Sequence, residues 1–161
     1  MDSLSTIALL YEVVGKKEFQ EGLIDLIFKE AKDKKEVGKN RYIQFPKGET
    51  EIGKNAFLSC NSLRSIIIPN SVLSIKYRTF CSCENLTSII IPKSHIFIEE
   101  LAFWGCDSLT NITIPESVLC IRSWAFRSCN SLTSITIPKK VRGIDDIFHK
   151  VDLSKVNITY T

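Results

Sequence analysis

A chain of 161 residues, 44% hydrophobic and 24% charged, is long enough for one domain with its own core and too apolar to stay disordered. Its net charge of +3 is too small to mark a nucleic-acid-binding protein by itself, and no apolar run approaches the ~18 residues that suggest a membrane span. The first residues, Met1-Asp2-Ser3-Leu4, lack a basic leader, and Tyr11-Glu12 interrupts the apolar stretch Thr6–Leu10, so the chain reads as not exported and cytoplasmic, with a cell-surface location as the alternative.

Residues 1–40 carry no repeat. Leu4, Ile7, Ala8, Tyr11 and Val14 follow helical spacing, as do Phe19, Leu23, Ile27 and Ala31, with Gly15 between the two segments. Two short amphipathic helices over 2–38 would cover the open end of whatever follows; an independent partner-binding hairpin is the alternative. Lys29 to Lys47 then holds a local surplus of four positive charges, which reads as a solvated helix end and linker.

From residue 41 to 161 the chain is periodic. Phe57, Phe80, Phe103 and Phe126 are spaced by 23, and so are Cys60, Cys83, Cys106 and Cys129; Leu63, Leu86, Leu109 and Leu132; and Pro69, Pro92, Pro115 and Pro138. A fixed period of this length means a solenoid whose units stack only on their neighbours. Within a unit, Ile112 and Ile114 flank Thr113 in strand alternation, and Pro115 ends the strand because it has no N–H to continue a ladder. Val118 to Phe126 then crosses the opposite side of the coil, with Phe126 in the core and Ala125 where two backbones approach. Six strands are expected, centred near residues 44, 67, 90, 113, 136 and 157, the last placed by aligning Leu153, Val156 and Ile158 with Leu-x-x-Ile-x-Ile after a shortened turn. The fifth turn, Gly143 to Phe148, is degenerate: it lacks one residue and the alanine.

The clearest copy, Ala125-Phe126-Arg127-Ser128-Cys129-Asn130-Ser131-Leu132-Thr133-Ser134-Ile135-Thr136-Ile137-Pro138, resembles the leucine-rich repeat of the BspA type, also called the Treponema pallidum type. A dozen slots match in four successive units, over about residues 42–160. The resemblance implies an α/β leucine-rich-repeat solenoid with a parallel β-sheet on one face and, here, an N-terminal helical cap. It also implies a non-enzymatic binding or scaffold protein; some proteins of this kind resemble surface adhesins that bind host matrix proteins.

The cysteines, sequons and histidines need no special chemistry. Four cysteines share one slot and form a column; spread over about 14 Å, they cannot surround one zinc ion with bonds of ~2.3 Å. They read as small buried hydrophobes with weak S–H donors, and the Cys81-x-Cys83 pair has no matching second pair. The sequons at Asn85, Asn111 and Asn157 arise from the repeat itself. His95 occupies a slot filled elsewhere by valine and reads as a hydrogen-bonded or edge-facing residue, with pH-sensitive loosening of that coil as the alternative. No nucleophile motif or phosphate loop is present, so no catalytic residue, metal or cofactor is expected.

Binding is sought in slots that the repeat does not dictate. One outward column reads Gln44, Ile67, Ile90, Thr113, Thr136 and Asn157, with Ile67 and Ile90 as an apolar patch. A second candidate is the edge around Leu101, Trp104 and Trp124, where tryptophans fill slots occupied elsewhere by smaller or more polar residues. These seven residues, Ile67, Ile90, Thr113, Thr136, Leu101, Trp104 and Trp124, are the candidate protein-binding set. The expected partner is a protein; nucleic acid is not expected.

Overall fold

The computed structural model describes residues 50–161 apart from 62, 69, 95, 96, 142 and 143. The helical cap expected over 1–40, the strand expected near residue 44, the basic run and His95 lie outside the described residues. Nine strands follow in chain order: β1 (Glu51–Ile52), β2 (Ser65–Ile67), β3 (Ser74–Ile75), β4 (Ser88–Ile90), β5 (Phe97–Ile98), β6 (Asn111–Thr113), β7 (Cys120–Ile121), β8 (Ser134–Ile137) and β9 (Asn157–Tyr160), with one helical turn, α1 (Ile144–Ile147), before β9.

Each coil has three sides, and each side is bonded to the next coil except where the strand side breaks between β4 and β6. On the first, β2 pairs β4, and β6 pairs β8, which pairs β9, all parallel. Alternation works as the sequence implies: Ile66, Ile89, Ile112 and Ile135 are buried, whereas Ile67, Ile90 and Thr113 between the buried positions are exposed. This side is not the single continuous sheet expected, because no ladder joins β4 to β6 among the described residues.

The second side corrects the expectation of a sheet on one face only. The return segment is itself a four-stranded parallel sheet in the order β1-β3-β5-β7. Its strands are two residues long, with Ile52, Ile75, Ile98 and Ile121 turned into the core.

The third side is the Ala-Phe turn, and it is bonded although it is not strand. The N–H groups of Asn55, Phe57 and Ser59 donate to the carbonyls of Tyr77, Thr79 and Cys81 (3.1, 2.8 and 2.7 Å). Arg78, Phe80 and Ser82 repeat this to Glu100, Ala102 and Trp104 (3.2, 2.8 and 2.6 Å). Two left-handed residues frame each turn. Asn55, Arg78, Leu101 and Trp124 have φ of 57°, 54°, 59° and 61°; four residues later, Ser59, Ser82, Gly105 and Ser128 have 54°, 56°, 71° and 56°. Only Gly105 adopts that conformation without a Cβ penalty.

The core is a set of columns. Phe57, Phe80, Phe103 and Phe126 stack with centroids 5.1, 5.4 and 5.2 Å apart and planes within 9°, and Phe148 continues the stack at 6.1 Å. Each such contact adds about 0.5–1.5 kcal/mol beyond the area it buries. The cysteine column has a specific bonding role: the thiols of Cys83, Cys106 and Cys129 donate to the carbonyls of Phe57, Phe80 and Phe103 in the preceding coils (2.9, 3.2 and 3.1 Å). Thr79 replaces the alanine of the other coils; its hydroxyl lies 2.8 Å from the Lys76 carbonyl and 3.1 Å from that of Gly53.

The degenerate turn is absorbed locally. Trp124 N–H donates to the carbonyl of Asp146, 22 residues on, whereas Phe126 and Ser128 donate to Ile147 and His149, each 21 residues on. The missing residue therefore falls within α1. A short 3-10 turn over Leu153–Lys155 restores it, so that β9 returns to the 23-residue register: Ser134, Ile135, Thr136 and Ile137 face Asn157, Ile158, Thr159 and Tyr160. This corrects the expected alignment of the last strand. Leu153 is exposed rather than a core leucine, and Thr159, not Asn157, continues the column of Thr113 and Thr136.

Candidate binding surfaces

On the first side, Ile67 and Ile90 lie directly across from each other on β2 and β4, 43% and 55% exposed. Thr113, Thr136 and Thr159 form the matching column on β6, β8 and β9, beyond the missing ladder. The threonines beside the strands are committed elsewhere: the hydroxyls of Thr87 and Thr133 donate to the carbonyls of Arg64 and Thr110 (2.9 and 3.0 Å). The outward chemistry of this side is therefore an aliphatic pair followed by a hydroxyl column.

On the turn side, Leu101 is only 5% exposed, so it adds almost no surface to the tryptophans. Trp104 and Trp124 do come together, through an arginine. The Arg127 guanidinium lies 5.6 Å from the Trp104 ring and 5.4 Å from the Trp124 ring, and Arg78 lies 5.6 Å from Trp104 and 5.0 Å from Tyr77. His149 tilts against Trp124 at 6.2 Å. Arg78 and Trp124 reach outward from left-handed slots, while Trp104 and Arg127 share the slot three residues further along the turn.

The second side carries an apolar patch that the sequence reading did not single out. Leu73, Phe97 and Leu119 are 45%, 49% and 48% exposed. Beside them is a hollow of about 360 Å³ lined by Glu51, Leu73, Lys76, Phe97, Glu99 and Arg122. Lys76 pairs with Glu51 at 3.2 Å and Glu99 at 3.5 Å, and Glu99 also accepts the Tyr77 N–H at 3.0 Å. The available signal was Leu73 and Leu119, one period-pair apart, each following a core valine.

The thiols are shielded from reaction. Burial pushes those of Cys83 and Cys106 well above the ordinary range and that of Cys129 up to about 12, and none of the six cysteines is in a disulfide. Thiols held protonated are poor nucleophiles and poor metal ligands.

The model of the BspA type leucine rich repeat region matches residues 43–161 in six copies. The chain belongs to the BspA-type leucine-rich repeat family. Among solved structures it is similar to a leucine rich cell surface protein from Faecalibacterium prausnitzii, at 35% identity and TM-score 0.67, covering 76% of this chain and 32% of that one. It is also similar to a leucine-rich repeat protein of T. pallidum, at 27% identity and TM-score 0.57, covering 78% and 54%. A Bacteroides ovatus leucine-rich repeat protein, at 22% identity and TM-score 0.53, shares the fold over 75% of this chain and 42% of that one. The chain thus spans about a third to a half of the length of these relatives. No curated protein sequence matches it significantly.

Of the six strands expected from the period, the five centred near residues 67, 90, 113, 136 and 157 fall on strands among the described residues. The BspA-type repeat is a fold commonly used for protein interaction. No helix among the described residues is long and apolar enough to cross a membrane.

Proposed function

We propose that this BspA-type repeat protein is a non-enzymatic interaction module that holds a protein partner against the strand side of its solenoid. The observation that carries this reading is the Ile67–Ile90 pair. The fold buries the isoleucines before and after each of them, yet leaves these two large aliphatic side chains side by side in water. Adjacent exposed apolar residues on a flat, hydroxyl-rimmed face suit a protein surface. The test is capture of partners from the source cell by the full chain and by Ile67→Asp/Ile90→Asp, with circular dichroism confirming that the variant folds. Loss of capture supports the strand side. Capture that survives both this pair and Trp104→Ala/Trp124→Ala excludes both surfaces.

Location separates two versions of this role. Six cysteines outside any disulfide fit a reducing compartment, which favours a cytoplasmic module. The likeness to a cell surface protein of F. prausnitzii favours an adhesin-like role at the surface. Protease treatment of intact cells decides between them: digestion of the chain supports surface display, and full protection supports the cytoplasmic version.

A further inference from the structure

The arginine–tryptophan ladder on the turn side has no structural need for two cations. The guanidiniums of Arg78 and Arg127 flank Trp104 from the coils before and after it, so they cover its two faces. Neither makes an ion pair with or donates to a carboxylate among the described residues, and the Nε–H groups of both are buried without an acceptor there. Among the described residues, these two half-buried positive charges rest against aromatic faces and meet no carboxylate. A cation held over a ring keeps its charge for an anion, which is pre-organisation.

The geometry points to an acidic peptide segment in polyproline-II conformation as the ligand of this ladder, lying along the solenoid axis with a carboxylate on each arginine. This rests on the reading of the protein as an interaction module and names a second surface and its chemistry. Arg78 and Arg127 are two coils apart, roughly 10 Å at ~4.8 Å per coil. A polyproline-II helix presents every third residue on one side, about 9.3 Å apart at ~3.1 Å per residue, so Asp or Glu at i and i+3 matches the spacing. Tyr77 and Trp124, each approached by one guanidinium at 5.0 and 5.4 Å, flank the arginines with the aromatic surface against which such helices dock. Nucleic acid fits less well. Both faces of Trp104 are already covered, which leaves no platform there for a stacking base.

The experiment is a fluorescence-anisotropy titration of the full chain with a labelled peptide of three Glu-Pro-Pro repeats at low salt. Comparison probes are a Lys-Pro-Pro peptide, a Glu-Gly-Gly peptide and oligothymidylate. The expected result is binding of the Glu-Pro-Pro peptide only. Binding should weaken at least tenfold in Arg78→Gln/Arg127→Gln and several-fold in Arg78→Lys/Arg127→Lys, which keeps the charge but loses the planar fork. Lys139→Gln/Lys140→Gln should bind as the parent does. If the glutamine pair fails to fold, the lysine pair and the charge-reversed peptide carry the test. No binding at low salt, equal loss in the Lys139/Lys140 variant, or tighter Arg-dependent binding of oligothymidylate overturns the inference. Peptide binding that depends on Ile67 and Ile90 but not on the arginines also overturns it, while leaving the interaction-module reading intact.

Discussion

Raising the pH from 9 to 10 should strip this protein of a large part of its stability, because its cysteine column can ionise only by unfolding. Burial raises the thiols of Cys83, Cys106 and Cys129 above the ordinary value of 9.0, and each donates its proton to a phenylalanine carbonyl of the preceding coil. A thiolate there would be desolvated and would face a carbonyl oxygen. Since the folded values are raised, the stabilisation is complete below pH 9 and is lost as pH climbs towards the folded values, about 12 for Cys129. Between those limits each thiol costs about 1.4 kcal/mol of stability per pH unit. At pH 10 the three together amount to about 4 kcal/mol, against the ~5–15 kcal/mol of a typical domain. Lys76, held charged by Glu51 and Glu99 against its burial, adds a loss in the same direction only above 10.5, whereas burial also raises Cys81, whose thiol adds to the slope between 9 and 10 outside the column.

Urea unfolding followed by circular dichroism under reducing conditions, at pH 7, 9, 9.5 and 10, measures the slope. The control is Cys83→Ser/Cys106→Ser/Cys129→Ser, which keeps an O–H donor for each carbonyl and does not ionise at those positions; its stability should fall much less steeply than the parent's across the window, Cys81 supplying the remainder. Single serine variants should each remove about a third of the slope, which covers the case of an unstable triple variant. Equal slopes in parent and control, or thiolate absorbance near pH 9 that appears in the folded parent and not in the folded serine control, which keeps the partly exposed Cys120, would refute the reasoning.

Two further outcomes follow from the columns. Phe103→Ala removes a ring stacked on both faces and should cost about 3–5 kcal/mol, at least as much as Phe57→Ala, which a thermal melt compares directly. Ser82→Gly and Ser128→Gly place glycine where Gly105 already stands and should each raise stability by up to ~1 kcal/mol, whereas Gly105→Ser, strained although its Cβ would meet nothing closer than 3.5 Å, should lower it by a similar amount.

The period is legible in the sequence because the core imposes it: a phenylalanine, a cysteine, a leucine and two isoleucines must recur where stacked coils share one interior. The register of β9 is not, because a deletion within α1 and the compensating turn at Leu153–Lys155 cancel, and the eye follows Leu153 instead of the unchanged distance from Ile135 to Ile158. The return sheet is hidden for another reason. Strands of two residues are too short to show alternation, and Ser74, Phe97 and Cys120 share one slot with no common chemistry. The left-handed positions lack their usual marker, since Asn55, Arg78, Leu101 and Trp124 stand where glycine would signal the conformation. That same disguise hides the ladder. Trp104 and Trp124 stand out as large residues in variable slots, but the arginines joining them come from two different slots and meet only when coils stack.

Backbone bonding on all three sides explains why binding chemistry can vary from coil to coil without loss of the fold. The strand side, the return side and the turn side each pass their N–H groups to a neighbouring coil, and the interior is filled by the recurring slots. Outward side chains are therefore free of structural duty except where they cap a carbonyl, as Thr87 and Thr133 do. The two candidate surfaces use that freedom differently, but both are ruled by the same rise. Ile67 and Ile90 mark adjacent coils on one side, and Arg78 and Arg127 mark coils two apart on another. A partner lying along the axis would meet evenly spaced contacts, whereas one lying across it would meet a single coil.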